Sequence, residues 1–461
     1  MIIEYTAISV YVIILAFITW ISAYKKNPKD FLFAARNITW APLSVSIFSS
    51  VISSYNFVVI LTFSFLYGPY VLLIFLGVLA AFVGIYLLAK RYSNIIRADN
   101  FNNIIDFFVQ RFDRRVATTL NIAFVGALLL FITLQFFVNT SIFSAFLGWG
   151  KYVSALFVGV IVYVYTTLGG LKTEIFTDVF QGVLMLAVGA LVFTVDTSVI
   201  TNETIKTVLT DKAAVTAAVS LGLAQFLTLL VQPEIWQRVT AAKSLAHLKK
   251  AFIAAWSYLL VIVIPLIIIG LAAHAGGGVE NPGNILLEML KDAAPAWYLP
   301  ILIASLFAAL MSTIDSSLFA ISSQIGKHGL FVNKKRSYAE KNRRPDQQTV
   351  FTTRVAIGFV VVITLGGSLF FGGFLSGVFK LASLLTVIST AVVLAILFDV
   401  SSTEMFMMLL VGIALFIGAF TAGVITEKAI TTLYPSFVLT AYGIIQTLII
   451  RAGNNLAVFT D

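Results

Sequence analysis

Cysteine is absent from this 461-residue sequence, and histidine and charged side chains are scarce. Without cysteine, disulfide bonds and thiolate chemistry are excluded, while nothing follows about the compartment. The histidines His247, His274 and His328 fall in predicted loops or at helix ends, so we expect no buried histidine relay or metal cluster. Charged residues make up 11% of the chain and hydrophobic residues 59%, against about 25% and about 45–50% in soluble domains. This excess of apolar side chains predicts a protein solvated by lipid.

Long apolar runs separate the few charged residues. Each run has roughly 18–27 residues, enough to cross a ~30 Å hydrocarbon core as a helix, whereas the ~10-residue alternation of a barrel strand is not seen. The first run is too long for a signal-peptide core, so we expect it to remain in the protein. The sequence therefore predicts an all-α integral membrane protein with about thirteen transmembrane helices. They cover residues 3–24, 41–67, 70–90, 116–147, 152–168, 175–195, 213–231, 251–273, 299–325, 350–371, 374–398, 404–425 and 431–450.

The net charge is +9, and the basic residues are distributed unevenly between the loops. With the N terminus outside, 24 of the 30 Lys and Arg residues lie on the cytoplasmic side, as the positive-inside rule requires. We interpret this balance as a topology signal and expect no nucleic-acid partner. Arg238 is placed in a cytoplasmic loop, and no Arg or Lys is expected deep in the membrane, although Lys380 lies near an outer helix mouth. The expected location is the cell (plasma or inner) membrane, as a multi-pass protein embedded in the lipid bilayer.

No linker divides the chain, which predicts a single membrane domain over residues 1–461. Residues 100–115 alternate apolar and polar side chains and predict a short helix on the inner membrane surface. The basic run 334–344 is interpreted as a solvated loop near anionic lipid.

Three predicted helices carry polar residues at bilayer depth, where such residues are costly. The second helix is rich in serine between Ser44 and Asn56, which predicts either an interruption of the helix or close packing of small residues. In the ninth helix, the hydroxyls of Ser312, Thr313 and Ser316 share one face with Asp315 on its flank.

The sixth predicted helix begins after a pair of glycines. Glu174 is expected in water at the interface, with Asp178 one turn deeper. The hydroxyls, carbonyl oxygens freed by helix interruptions and one or two carboxylates are hard ligands suited to a monovalent cation. For Asp315, a protonated, hydrogen-bonded structural role stays open.

Four segments, taken in order, resemble motifs of the sodium:solute symporter family. Gly169–Gln181 resembles the GG…TDxxQ stretch of that family, and Ala309–Ser316 its AxMST-x-DS stretch. Pro233–Lys243 resembles its cytoplasmic-loop PxxxQRxxAAK signature, and Ser46–Phe57 lies where the family has its first broken core helix. The resemblance covers nearly the whole chain.

The resemblance implies a five-plus-five inverted-repeat, LeuT-like fold whose site lies between broken helices. The repeats are expected at about 41–195 and 213–398, with helix 1 and helices 12–13 (about 404–450) peripheral. The second broken helix is expected within residues 213–231, where few polar residues interrupt the apolar run.

The resemblance also implies the ion ligands. The first sodium site is expected at Ser49, Ile52, Ala309, Ser312 and Thr313. A second sodium site, left open because Asp315 replaces a family hydroxyl, is expected at Asp178, Asp315 and Ser316. The residues expected to face the solute are Ser53, Ser54, Tyr55, Asn56, Gln135 and Gln225. No cofactor is expected, and Na⁺ serves as the coupling ion.

The predicted function is sodium-coupled secondary active import of a small polar organic solute by alternating access. The alternatives are a proton-coupled symporter and a solute-sensing membrane protein, and the short segment after the last predicted helix favours transport over signalling output. No nucleophile–base pair suited to an intramembrane hydrolase is seen, so an enzyme is not expected. The oligomeric state is left open.

Overall fold

The structure is a computed structural model that describes residues 2–23, 28–52, 54–97, 101–276, 297–330, 347–370, 374–426 and 428–458. Ser53 and the basic run 334–344 lie outside the described residues, as do the side chains of Ser54 and Tyr55. The roles expected for these residues therefore stay predictions.

The described part of the chain is helical. Its α-helices are α1 (Ile2–Ala23), α2 (Pro28–Phe33), α3 (Trp40–Val51), α4 (Ser54–Tyr67), α5 (Val71–Arg91), α6 (Ser93–Ile96), α7 (Ile104–Arg111), α8 (Arg114–Leu147), α9 (Lys151–Leu186), α10 (Asn202–Thr210), α11 (Lys212–Val231), α12 (Pro233–Ala241), α13 (Leu245–Ala275), α14 (Leu299–His328), α15 (Gln347–Leu369), α16 (Phe374–Phe398), α17 (Ser402–Thr421) and α18 (Tyr434–Val458). Short 3₁₀ turns cover Ala34–Arg36, Gly68–Tyr70, Ala187–Thr194 and Ala429–Leu433.

The chain reverses direction between α4 and α5. From α3 to the end of α4, successive residues contact α13 at positions with increasing residue numbers. Along α5, the contacts with α13 return to lower residue numbers. The contacts that show this are Phe48–Tyr258, Ser64–Gly270, Gly68–Leu271 and Phe82–Phe252. The turn is made by Gly68–Tyr70, where Gly68 has a φ of 54°, a conformation that costs glycine little.

A second reversal lies inside α9, at Gly170. This residue has φ 65° and ψ 177°, outside the helical region. Before Gly170, successive residues of α9 contact α14 at increasing residue numbers. After Gly170, they contact α14 at decreasing residue numbers. The contacts are Phe157–Phe307 and Tyr165–Met311 before the break, and Leu184–Ser305 after it. The return continues in the 3₁₀ turn after α9, where Ala187 contacts Tyr298, the residue before α14.

Eleven helical stretches of the described residues are long and apolar enough to cross a membrane. Two of them, Asn56–Arg91 and Lys151–Thr194, contain the reversals described above. All-α architecture is thus confirmed. The count of thirteen crossings agrees with these reversals, but it stays a prediction, as does the outside position of the N terminus.

Two helices are interrupted in the middle of the bundle. Between α3 and α4, Ile52 has an extended backbone with φ −99° and ψ 119°, within the serine-rich segment where the sequence predicts a break. The second break lies between α11 and α12, at Gln232, and not within residues 213–231 as predicted. The reason is Pro233, which has no amide hydrogen to continue α11 but suits the first position of α12.

The helix α14 forms the centre of the molecule, because nearly all of its side chains between Leu302 and Gln324 are buried. Close packing elsewhere depends on glycine: a Cβ atom added to Gly77 of α5 would lie 2.1 Å from the carbonyl oxygen of Gly222 of α11. Exposed apolar side chains, such as Ile13 on α1, lie on the outer helices and suit contact with lipid.

The predicted surface helix of residues 100–115 is present as α7, but its environment differs from the prediction. Ile104, Ile105 and Phe108 are buried, and so are the polar residues Asn103 and Asp106. Both faces of α7 therefore contact protein, because its polar residues bond to the end of α14 instead of to water.

Candidate functional site

The carbonyl end of α3 meets the middle of α14 at the predicted first ion site. The hydroxyl of Ser312 donates to the carbonyl oxygen of Ser49 over 3.0 Å. The hydroxyl of Thr313 donates to the carbonyl oxygen of Ala309 over 3.4 Å. These four residues and Ile52 are all buried. The fold thus brings Ser49 and Ser312 together, with the other three residues within one turn of them.

The chemistry of this set suits a small monovalent cation. Its oxygen atoms are carbonyls and hydroxyls, which are hard and uncharged ligands. Because α3 stops at Val51, its last carbonyl groups have no amide donors from a following helical turn. They are therefore able to bind a cation or, as Ser49 does, to accept a side-chain hydroxyl.

A guanidinium group lies at the predicted second ion site. Nη2 of Arg238, a buried residue of α12, donates to Oδ2 of Asp178 over 3.0 Å and to Oγ of Ser316 over 2.7 Å. It also forms an ion pair with Glu174. Its Nε donates to the hydroxyl of Ser46, which in turn donates to Asp178. The neighbour of Asp178 and Ser316 in this conformation is therefore a cation of the chain itself.

The sequence places Arg238 in a cytoplasmic loop and Glu174 in water, and both predictions are wrong. Each side chain is almost entirely buried. The reason is that α12 is the second half of a broken helix and enters the bundle. Burial of a charged group is tolerated when it is paired and hydrogen-bonded, and here each residue supplies the other's partner.

Asp315 contacts different groups from its neighbour Ser316. The hydroxyl of Tyr165 lies 2.6 Å from Oδ2 of Asp315 and 3.0 Å from the carbonyl oxygen of Met311. Oδ1 of Asp315 is buried and has no hydrogen-bond partner among the described residues. The three residues predicted for a second ion therefore divide between two partners, Arg238 for Asp178 and Ser316, and Tyr165 for Asp315.

A cavity of about 150 Å³ adjoins both helix breaks. Among the described residues that line it, no side chain carries a formal charge. The polar lining residues are Ser50, Asn56, Gln225, Thr228 and Gln232. Apolar side chains of α4, α5, α8, α11 and α16 form the rest of the wall. Two residues predicted to face the solute, Asn56 and Gln225, therefore line the cavity, whereas Gln135 is buried in α8 and does not line it.

The cavity and the first ion site share one segment of chain. Ser50, Val51 and Ile52 line the cavity, while Ser49 and Ile52 belong to the predicted ion ligands. A change in the backbone at the end of α3 would therefore alter both sites.

A buried carboxylate lies directly behind the cavity. Glu234, in the first turn of α12, accepts hydrogen bonds from the side-chain amide of Gln232 and from the hydroxyl of Ser317, the latter over 3.1 Å. Its Oε2 has no hydrogen-bond partner among the described residues. The hydrogen bond to Glu234 thus fixes the orientation of the Gln232 amide.

Comparison with protein families identifies one whose model covers most of the chain. A family model described as the sodium:solute symporter family matches residues 31–400. The chain belongs to the sodium:solute symporter family. It is accordingly a multi-pass membrane protein.

Curated relatives in the sodium:solute symporter family are distant. The sodium/sialic acid symporter NanT of Aliivibrio fischeri is 24% identical over 332 residues, 65% of this chain and 64% of that protein. The sodium/pantothenate symporter of Escherichia coli is 24% identical over 362 residues, 74% of this chain and 72% of that protein. A putative sodium-dependent multivitamin transporter of Drosophila melanogaster is matched over 31% of its length. The chain thus covers less than two thirds of the NanT and multivitamin proteins.

Solved structures share the fold of this family member. The outward-open, substrate-bound state of a Na⁺-coupled sialic acid symporter has a TM-score of 0.79 at 17% identity, with 97% of each chain covered. Mhp1, a nucleobase-cation-symport-1 family transporter, has a TM-score of 0.56 at 15% identity, with 92% of this chain and 96% of that chain covered. These likenesses establish the fold and leave the cargo of this chain open.

Sequence reasoning missed several buried polar residues of this symporter-family chain. For Arg238 and Glu234 a signal exists, because a proline after a polar residue is typical of the first turn of a helix, and Pro233 follows Gln232. For Tyr165 there is none. It lies in an apolar run, where a tyrosine is equally suited to lipid or to a buried partner.

Proposed function

We propose that this chain imports a small organic solute together with sodium across the cell membrane by alternating access. The sodium ion binds where Ser49, Ile52, Ala309, Ser312 and Thr313 meet. The solute binds in the adjoining cavity, at the breaks of the two interrupted helices. Membership of the sodium:solute symporter family supports this proposal.

The observation that carries the proposal is the chain segment shared by the two sites. Ile52 both lines the cavity and belongs to the ion ligands, and Ser50 lines the cavity next to Ser49. An ion that orders the end of α3 therefore orders one wall of the solute site. By thermodynamic linkage the solute must then strengthen ion binding by the same factor. This reciprocity is what coupled transport requires.

Access from one side at a time is supported by the position of the cavity. It extends from the breaks along α4 and the first half of α5, towards the side that the basic residues predict to be outside. At the opposite end of the bundle the backbone N–H of Ile38 donates to Ala241 over 3.0 Å, and that of Lys243 donates to Ile38 over 2.9 Å. These bonds and those of Arg238 tie α12 to its neighbours and close that end.

Thermal unfolding of the purified protein tests sodium binding. We expect the melting temperature to rise with NaCl and not with choline chloride at equal ionic strength, because a ligand at 100 times its Kd stabilises the folded state by about 2.7 kcal/mol. Equal melting temperatures in the two salts would remove sodium from the mechanism.

Proton coupling is the second candidate, and Asp315 is the observation that favours it. Its buried Oδ1 has no hydrogen-bond partner among the described residues, and a proton there would remove the cost of a charge in a membrane interior. In proteoliposomes without sodium, an inward proton gradient should then drive uptake, and Asp315→Asn should abolish it. Uptake that follows only the sodium gradient would leave Asp315 a structural role.

A further inference from the structure

Four of the five polar side chains that line the cavity, those of Ser50, Asn56, Thr228 and Gln232, each donate a hydrogen bond towards the protein. The hydroxyl of Ser50 donates to the backbone carbonyl oxygen of Ser46 over 2.8 Å, and that of Thr228 donates to the backbone carbonyl oxygen of Gln225 over 3.3 Å. The side-chain amide nitrogen of Asn56 donates to the carbonyl oxygen of Val51. A hydroxyl has one hydrogen to give, so Ser50 and Thr228 are left with acceptor lone pairs.

The side-chain amide of Gln232 also directs a hydrogen-bond donor towards the protein. Its nitrogen donates to Glu234, and a carboxylate accepts hydrogen bonds only, so the amide cannot be reversed without losing this bond. The oxygen of Gln232 is therefore directed away from Glu234. Because Gln232 lines the cavity, this orientation favours an acceptor towards the solute, with a buried negative charge behind it.

The rest of the cavity wall limits the chemical groups that the solute can carry besides a hydrogen-bond donor. Most lining residues are Val, Ile, Leu and Phe. Hydroxyl groups placed against them would be buried without partners, which costs a polar group several kcal/mol in the worst case. The volume of about 150 Å³ equals that of an apolar protein cavity able to hold benzene, about 150 Å³. A compact apolar body fits, and a polyhydroxylated sugar does not.

We propose that the cavity selects a small solute with a protonated amine on a compact apolar skeleton. The amine donates to the acceptors of Ser50, Thr228 and Gln232, while Glu234 supplies the negative potential behind Gln232. This inference rests on the proposed function, since it assigns the cargo of the same cavity. It narrows the small polar solute predicted from the sequence, because the wall is largely apolar.

Four matched compounds test the proposal with the full-length protein in NaCl. Valine carries the amine and a carboxylate, isobutylamine lacks the carboxylate, isovalerate lacks the amine, and glucose replaces the apolar body by hydroxyls. We expect valine and isobutylamine to raise the melting temperature and the other two to leave it unchanged. The proposal is overturned if isovalerate or glucose stabilises as well as valine, or if none of the four does. The comparison of NaCl with choline chloride, made without solute, tests sodium binding separately.

Glu234→Gln tests the charge behind Gln232 at constant shape. We expect the valine concentration for half-maximal stabilisation to rise about tenfold, as for the loss of a hydrogen bond to a charged group, with an unchanged response to sodium. Gln232→Leu removes the amide acceptor and is the alternative test if Glu234→Gln does not fold. Ser322→Ala, a buried hydroxyl on α14 away from the cavity, is the control. Unchanged preference for valine over isovalerate in both variants would overturn the role of this pair.

Discussion

Arg238 is bonded to oxygen atoms of three other helices. It reaches Ser46 of α3, Glu174 and Asp178 of α9 and Ser316 of α14. Water is excluded from this group, since the side chain has no exposed surface. A buried ion pair adds little net stability when intact, but loss of one partner leaves an uncompensated charge. The residues around Arg238 are therefore sensitive to substitution.

Substitution of Asp178 tests whether this carboxylate pairs with the guanidinium of Arg238 or binds sodium. We expect Asp178→Asn to destabilise the protein by about 3 kcal/mol, because Arg238 then loses one of its two carboxylate partners. The loss of melting temperature should be equal in NaCl and in choline chloride. Asp196→Asn, at an exposed position, is the control. A loss confined to NaCl would place sodium, and not the guanidinium, on Asp178.

Substitution of Ser312 and Thr313 tests the first sodium site. Ser312→Ala and Thr313→Ala should each raise the sodium concentration for half-maximal stabilisation about tenfold, the effect of losing about 1.4 kcal/mol of binding energy. The measurement is a sodium titration of the melting temperature, with Ser322→Ala as the matched hydroxyl loss on the same helix. Wild-type sodium dependence with reduced expression would make these hydroxyls packing groups.

At the residue scale, sequence reasoning succeeds where a polar side chain interrupts a regular pattern. Ser312 and Thr313 stand out in an apolar helix, and the structure places Ser312 against Ser49. It fails where a side chain has two equally ordinary environments. Arg238 near a helix end fits a cytoplasmic loop as well as a buried ion pair, and only the path of α12 decides between them.

Among the elements, helix extents follow from apolar runs, because lipid requires about twenty apolar residues per crossing. The position of a break is harder to predict. The break after α3 is marked by serines that compete for the backbone, whereas the break after α11 depends on the single proline Pro233. The environment of α7 could not be predicted, because an amphipathic pattern fits a membrane surface and a protein surface alike.

The helix α7 offers a pH-dependent test of its attachment to α14. Asp106 accepts from Lys327 over 2.8 Å and from His328 over 2.6 Å. Burial by itself raises the pKa of Asp106, but the charge of Lys327 and the hydrogen bond from His328 hold it below its ordinary value. A lowered pKa stabilises the folded state above the unfolded pKa of about 3.9, and this contribution is lost as the pH falls below it.

We therefore expect Asp106→Asn to lower the melting temperature at pH 7, where the stabilisation is fully present. The difference from wild type should shrink as the pH is brought below about 4. Melting curves of both proteins between pH 7 and pH 2 measure it, with Glu203→Gln, at an exposed position, as the control. A constant difference across this range would show that the loss comes from packing and not from charge.

For the whole molecule, the distribution of basic residues predicts the direction of transport. One sodium ion that moves inward across 100 mV releases about 2.3 kcal/mol, which supports roughly fifty-fold accumulation of a neutral solute. An inside-negative potential imposed on proteoliposomes should therefore accelerate uptake of a zwitterionic solute such as valine, and removal of the sodium gradient should slow it. The measurement is initial uptake with and without a potassium diffusion potential. Uptake indifferent to both would indicate a facilitator.

The bonds of Arg238 also set a threshold for movement of the bundle. Because they converge on one rigid, planar group, a displacement of α12 large enough to break one of them weakens the others at the same time. Small fluctuations of α12 are therefore resisted, and a large one meets little further opposition. The closed end would then open as a single event, on the microsecond-to-millisecond scale of collective helix motions, and intermediate openings that let ions leak past would be short-lived.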